Sequence, residues 1–304
     1  IQHSRYGFEE EAGHWVMSPF YNDHTAYGAA LSMFIPVAIG FLFYPGASKT
    51  ERIFSLLTIS VLIIGIIFSY GRAAWISVAV ALLVFIFILL RIKFYVIFIS
   101  FVVIVSIFFT FQNQIIDRLS KNKQDSSANF AEHLRSISNI SSDASNLERI
   151  NRWQAALRLY DERPVLGWGP GTYQFVYSPY QSSQEKTIIS TNLGDKGNAH
   201  SEYLGPLAEM GVPGLLIILI LITVVIVTGL RVYKEGDKNV KFLSLMVLLG
   251  LITYFAHGFL NNFLDTDKLS VPFWGFIAIL VALETYHLPL LNSEDDEDKI
   301  KEIE

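Results

Sequence analysis

The sequence predicts an all-α polytopic membrane protein, and three observations carry that prediction. Apolar residues make up 52% of the chain, and the mean hydropathy is +0.39. These residues are gathered into blocks, each near the ~20 residues that a helix needs to cross hydrocarbon. The blocks lack the alternation of barrel strands, and in lipid only helices or closed barrels satisfy every backbone polar group.

Seven blocks qualify, at about residues 27–43, 53–69, 75–90, 94–111, 215–230, 242–257 and 271–287. Lys and Arg in short loops mark the cytoplasmic side. Lys49 and Arg52 follow the first block, Arg91 and Lys93 the third, and Arg231, Lys234, Lys238 and Lys241 the fifth. The alternate short loops carry only Arg72 and Lys268. This predicts that residues 1–25 and the long insert 112–213 lie outside, and that the C-terminus lies inside. The chain divides accordingly: an external N-terminal segment with four spans (1–111), an extracytoplasmic loop (112–213), three spans (214–288) and an acidic cytoplasmic tail (289–304). The tail is read only as a solvated charge run. The net charge of −5 carries little information, because charge in a membrane protein matters by side. Cysteine is absent, which excludes thiol and disulfide chemistry. No feature points to nucleic acid.

With this topology the polar residues gather at one face. Asp23 and His24 precede the first span, Arg72 sits in the external turn SYGRAAW, and His257, Asn261, Asn262, Asp265 and Asp267 surround the last external turn. Within the spans the one charge is Glu284, near the inner end.

The insert reads in three parts. Residues 112–144 are rich in Ser and Asn, with short amphipathic pieces at 115–119 and 130–137. An amphipathic helix follows, with Ser145 or Asn146 as its N-cap and Glu148 in its first turn, where the dipole favours an acid. Leu147, Ile150, Trp153, Leu157 and Tyr160 recur at helical spacing and predict its buried stripe. Arg149 falls at the stripe's edge, with Arg152 and Arg163 on the same flank and Arg158 on the other. Pro164 ends the helix, and GWGPG reads as a sharp turn; no strand precedes it and no Lys-Ser/Thr follows, so it is not a phosphate loop. The third part closes on GNAHSEYLGPLAEMGVPG. There Asn198 is expected to cap a short helix that begins at His200 and presents His200, Leu204, Leu207 and Ala208 on one face. Pro206 is expected to kink or restart that helix before MGVPG turns into the next span.

Four stretches resemble the O-antigen ligase and polymerase superfamily of bacterial membrane glycosyltransferases. SYGRAAW resembles a Ser-x-Gly-Arg turn. ERINRWQAALRLYDERPVLGWGPGTY resembles an Arg-x3-Trp-x2-Ala helix with its Pro-x2-Gly-x-Gly turn. AHSEYLGPLAEMGVPG resembles a His-Asn-x-x-Leu…Glu-x-Gly-x-x-Gly signature, with Ser201 standing where many members have Asn. SPFYNDHTAYGAALSMFIPV resembles the segment that opens an upstream span. Members have more than seven spans, and the chain opens at Ile1 without a methionine, so further helices are expected before it.

The resemblance implies a GT-C-like, metal-independent transferase with no cofactor. It would act at the outer face of the bacterial cytoplasmic membrane, taking a glycan from undecaprenyl diphosphate to a saccharide or lipid-linked acceptor hydroxyl. Arg72, Arg149 and His200 carry over as functional, with Arg152 as the rival phosphate ligand. The residue types suit the chemistry: guanidinium meets phosphate oxygens bidentately, and imidazole accepts a proton. Each has a structural rival, such as an ion pair from Arg149 to Glu148 or Asp161, or a capping role for His200. Glu202 and Glu209 are alternative bases but read as structural. His257, Asn261, His24 and Asp23 are candidates for the acceptor side. Asp265 and Asp267 form an Asp-x-Asp read as solvated loop, so no metal ligand is assigned. Trp168, Tyr173, Tyr177 and Tyr180 read as interfacial anchors or sugar-stacking rings. Two other classes compete. A transporter would need ionisable groups at mid-membrane or broken spans in matching halves, and a sensor would not gather arginines and a histidine at one face.

Overall fold

The structure is a computed structural model, and it describes residues 3–21, 23–92, 144–183, 186, 190 and 197–288. The span predicted at 94–111, the first part of the insert up to residue 143 and the tail at 289–304 lie outside the described residues. The described helices are α1 (Glu10–Gly13), α2 (His24–Phe43), α3 (Lys49–Ile67), α4 (Arg72–Leu89), α5 (Ala144–Glu162), α6 (Tyr173–Val176), α7 (Leu204–Glu235), α8 (Lys238–His257) and α9 (Asp267–His287). Among the described residues there is no strand, and six helices (α2, α3, α4, α7, α8 and α9) are long and apolar enough to cross a membrane. They match six of the seven predicted blocks.

Local sequence sets the helix starts. Asp23 caps α2 by accepting from Thr25 N–H at 2.6 Å. Ser48 and Glu51 form a reciprocal capping box on α3, and Asp237 accepts from Asn239 and Val240 N–H on α8. At the far end of α2, Arg52 in the first turn of α3 donates to the carbonyls of Leu42, Tyr44 and Ala47, so one cation serves the C-terminus of α2 and the turn that follows it.

The centre of the bundle is α8, which packs on α2, α4, α7 and α9. Lipid offers no hydrophobic drive between helices, so close approach relies on small residues. A Cβ on Gly40 would overlap the Met246 side chain, and one on Gly250 would strike the Met33 carbonyl at 2.7 Å. Ala29, Ala30, Ser32 and Met33 are all but fully buried against Leu248, Leu251 and Phe273. Buried hydroxyls bond inside the bundle: Ser32, Ser77 and Thr253 donate to carbonyls three residues back, and Ser244 donates across to Gly229 at 2.8 Å. Glu284 meets Arg231 at 3.3 Å, near the C-terminal ends of α9 and α7.

One end of the bundle collects the start of α2, the α3–α4 turn, the kink in α7 and the α8–α9 turn. His24 Nδ1 donates to the Ser69 carbonyl at 2.7 Å, which joins the first two. The insert helix α5 packs on α7 at this end, and Arg149 Nε donates to the Leu260 carbonyl.

Three local expectations are corrected. The helix α5 begins at Ala144, so Ser145 and Asn146 lie inside it rather than capping it, and Asn146 Oδ1 instead accepts from Arg149. Its buried face is also not the predicted stripe. Glu148, Asn151, Arg152, Ala155, Ala156 and Leu159 are buried, whereas Leu157 is 37% exposed. The apolar stripe points nearly opposite, because paired polar groups occupy the packed face. Finally, α7 starts at Leu204 rather than His200, because His200 adopts φ 48° and cannot enter a helix. The restart falls at Gly211 (φ 67°), while Pro206 sits in the first turn, where a missing N–H costs nothing.

Candidate functional site

The α3–α4 turn is built around Ser69, which is fully buried. Its hydroxyl donates to the Ile66 carbonyl and accepts from Gly71 N–H, while Tyr70 takes φ 50°. Trp75 Nε1 locks the other side by donating to the Ile66 carbonyl at 2.8 Å. This places Arg72 as the first residue of α4, whose N-cap residue, Gly71, has no side chain to cap it. The positive dipole end and the guanidinium thus coincide, which suits an anion.

Arg149 reaches the same region from α5. It is half-buried, held by the Leu260 carbonyl and Asn146 Oδ1, each at 3.0 Å. Burial first, and then the neighbouring charge of Arg72, bring its pKa down to about 10, with Asp23 opposing. The side chain stays cationic at neutral pH. Two arginines from separate segments are therefore held close enough to repel each other.

His200 lies within electrostatic reach of Arg149 and Arg152. Its N–H donates to Asn198 Oδ1 at 3.1 Å, and its carbonyl accepts from Trp153 Nε1 at 3.2 Å. Those two bonds hold the backbone in its left-handed conformation. Ser201 is buried and its hydroxyl accepts from Tyr203 and Leu204 N–H, so it serves as the cap that Asn198 does not provide to α7. Asn could carry the same bonds. Burial, followed by the charges of Arg149 and Arg152, pushes the His200 imidazole down to about 4, against Glu148 and Asp23. The ring is neutral at neutral pH and able to accept a proton. Below about 4 it carries one, so kcat/KM, which reports the free enzyme, is expected to stay level from pH 8 to about 5 and then fall. A pH–rate profile with its inflection near the ordinary histidine value of ~6.5 would show instead a solvated ring.

Arg152 is placed differently. It is buried, pairs with Glu148 at 2.6 Å and stacks over the Tyr177 ring at 4.1 Å. Glu148 also accepts from Ser190 and Asn151. Burial works to raise the Glu148 carboxyl, but these donors and the Arg152 charge outweigh it and hold the carboxyl low. Tyr173 donates to the Arg152 carbonyl, and a Cβ on Gly197 would collide with the guanidinium and Tyr177. The cluster fastens the α6 loop and the 197–200 stretch onto α5. The Glu148–Arg152 pair at i,i+4 is the signal that sequence reasoning passed over. Glu148→Ala removes the carboxylate that pairs with buried Arg152, and breaking such a buried pair costs roughly 3–5 kcal/mol. It is expected to lower the melting temperature in detergent by several degrees, whereas Asp161→Ala, on the exposed flank, leaves it in place.

The glycine motifs form one composite joint. Trp168 N–H donates to the Ala208 carbonyl, Gly169 N–H to the Glu209 carbonyl and Val212 N–H to the Pro164 carbonyl. The Glu209 carboxylate accepts from Gly171 and Tyr173 N–H. A Cβ on Gly167 (φ 62°) would sit 2.3 Å from the Glu209 backbone, and one on Gly211 would sit 2.4 Å from the Val165 carbonyl. Glu202 is a second fastening: its Oε1 accepts from Tyr254 Oη at 2.5 Å and from Phe263 and Leu264 N–H, and burial raises its pKa. Both glutamates hold loops rather than face the arginines.

The remaining candidates divide. His257 is buried, with Nε2 accepting from Asn261 Nδ2 at 3.2 Å, close to Arg149 and Asp23. His24 stacks on His14 with ring centroids 4.2 Å apart. Asp265 and Asp267 are exposed. Tyr173 and Tyr177 are core residues, stacked 5.2 Å apart. Trp168 lies under Arg163 and donates to the Leu159 carbonyl.

Fold and site together define a polytopic helical membrane protein with a cationic, histidine-bearing cluster at one end of its bundle. A protein-family model described as O-antigen ligase matches residues 54–219, and the chain belongs to that family of membrane glycosyltransferases. The matched stretch contains Arg72, Arg149, Arg152, His200 and the interlocked glycines, and it leaves out Asp23, His24, His257 and Asn261. No curated protein matches the chain.

Proposed function

We propose that the protein transfers a glycan from undecaprenyl diphosphate to an acceptor hydroxyl, in the manner of an O-antigen ligase, at the outer face of the bacterial inner membrane. The observation that carries this reading is that Arg149 feels the charge of Arg72 from a separate segment on one side and acts on a neutral His200 on the other. The donor's diphosphate enters between the two guanidinium groups and removes their mutual repulsion. Its negative charge also offsets the arginine fields at His200, so the imidazole gains basicity when the donor is bound.

The acceptor oxygen then attacks the anomeric carbon. Its proton passes to His200 Nε2 or Nδ1, and the bond from the anomeric carbon to the diphosphate oxygen breaks with the electron pair on the leaving group. Arg72, Arg149 and the α4 N-terminus stabilise that growing charge, the kind of preorganised electrostatic term that is often largest in catalysis. These groups supply the positive charge that a divalent metal supplies elsewhere. Arg152 holds the loop that carries His200, and His257 with Asn261 flank the site on the acceptor side. The positive-inside pattern supports the outer-face assignment. Buried polar groups in the described spans are Ser, Thr and His257 rather than carboxylates or amines, which favours a transferase over a transporter.

The test is a membrane preparation given radiolabelled undecaprenyl-diphosphate glycan and a lipid-linked saccharide acceptor. Transfer of a single unit that persists in EDTA is expected. A ladder of products would make the enzyme a polymerase, activity restored only by Mg²⁺ or Mn²⁺ would overturn the arginine-only electrostatics, and no transfer to any hydroxyl acceptor would overturn the reading.

A further inference from the structure

The turn after α5 presents two adjacent large apolar residues to the outside, Val165 at 67% exposure and Leu166 at 78%. It is pinned to the start of a membrane span. Val212 N–H donates to the Pro164 carbonyl at 2.9 Å, and Gly211 lies so close to Val165 that a Cβ there would overlap its carbonyl. From Val212 onward α7 is free of charge as far as Arg231, and at ~1.5 Å per residue that stretch covers about 28 Å. That is close to the ~30 Å thickness of bilayer hydrocarbon, so Val212 sits at its edge. Val212, Leu216, Ile217 and Ile220 are themselves exposed along α7 and form its lipid-facing surface. Val165 and Leu166 extend that surface sideways. Beside them Arg163 stacks on Trp168 at 3.9 Å, an amphipathic pair of the kind that settles among headgroups.

We propose that the turn at residues 164–167 dips into the bilayer, burying Val165 and Leu166 among lipid chains and fixing the height of the insert above the membrane. Lipid is the occupant because the turn continues a surface that the span already gives to lipid. The consequence is geometric: the glycine joint ties this turn to Glu209 and α7, and α5 behind it carries Arg149. The insert is thereby set where a lipid-borne headgroup arrives. The inference rests on the membrane fold rather than on the transfer chemistry, so each can fail alone.

The chain has no cysteine, which makes site-directed spin labelling direct. Leu166→Cys and, separately, Val165→Cys are labelled with a nitroxide in vesicles of phosphatidylethanolamine and phosphatidylglycerol. Collisional relaxation by oxygen and by a water-soluble nickel chelate is compared with two references, Leu216→Cys on the span and Asp161→Cys on the exposed flank. Oxygen is expected to relax the labels at 165 and 166 several-fold more than nickel does, as at 216. Labels as open to nickel as the one at 161 would overturn the proposal. So would labels shielded from both reagents, which would place a protein partner there instead.

Discussion

His200→Ala is expected to lower the transfer rate by about 10²–10⁴-fold, the usual worth of a positioned general base. The ring is neutral, half-buried and anchored through its backbone by Asn198 and Trp153. The loss should appear in kcat, because the imidazole acts on a proton that moves only as the new bond forms. His200 has φ 48°, a conformation that disfavours alanine and that asparagine tolerates. His200→Asn therefore separates chemistry from folding. It should express, insert and melt like the parent while remaining as inactive as the alanine variant. Parent-like transfer by His200→Asn would remove the residue from the mechanism. If both variants retained activity, Glu202 would be the next base to test, although three donors already occupy one of its oxygens.

Arg149→Ala is expected to cost about 10²–10³-fold, comparable to removing one preorganised donor to a developing anion. Arg149→Lys should recover little, since an ammonium cannot keep the Leu260 and Asn146 bonds while meeting two phosphate oxygens. Arg72→Ala should behave similarly. Because the two residues act on one diphosphate, the double variant should lose much less than the product of the single losses. Independent, multiplicative losses would mean that the two arginines serve different groups. The same substitution carries a second signature. Removing the Arg149 charge relieves one cause of the low His200 pKa, so residual activity should fall off at a higher pH than in the parent.

Much of this was legible in the chain. The six described spans follow from block hydropathy, because in hydrocarbon an apolar run of sufficient length leaves the backbone no alternative to a helix. Motif and position also singled out Arg72, Arg149 and His200 as the candidates for phosphate and proton. The turn GWGPG was readable as a turn from its glycines and proline. The buried face of α5 was not legible. Periodicity favours the apolar stripe of Leu147, Ile150 and Leu157, but burial fell on Glu148, Asn151 and Arg152. Those groups can be buried only because Glu148 and Arg152 neutralise each other while Tyr177, Gln181 and Ser190 cover or bond them, and one-dimensional hydropathy carries no record of such partners. The start of α7 was misjudged for a related reason. Asn198 and His200 match a helix start by residue type, but Trp153 holds the His200 carbonyl from another segment and keeps it out of the helix.

The sequence by itself determined that this is a helical membrane protein of the O-antigen ligase type, and which residues have the chemistry for phosphate and proton. Hydrophobic length, loop charge and short motifs are local properties, and the bilayer enforces them residue by residue. Only the tertiary structure decided that Arg152 is held in an ion pair with Glu148 while Arg149 bonds the Leu260 carbonyl. It also decided that two glycine motifs some forty residues apart close on each other's backbone. These outcomes depend on distances between segments far apart in the chain, which no local property of the sequence records.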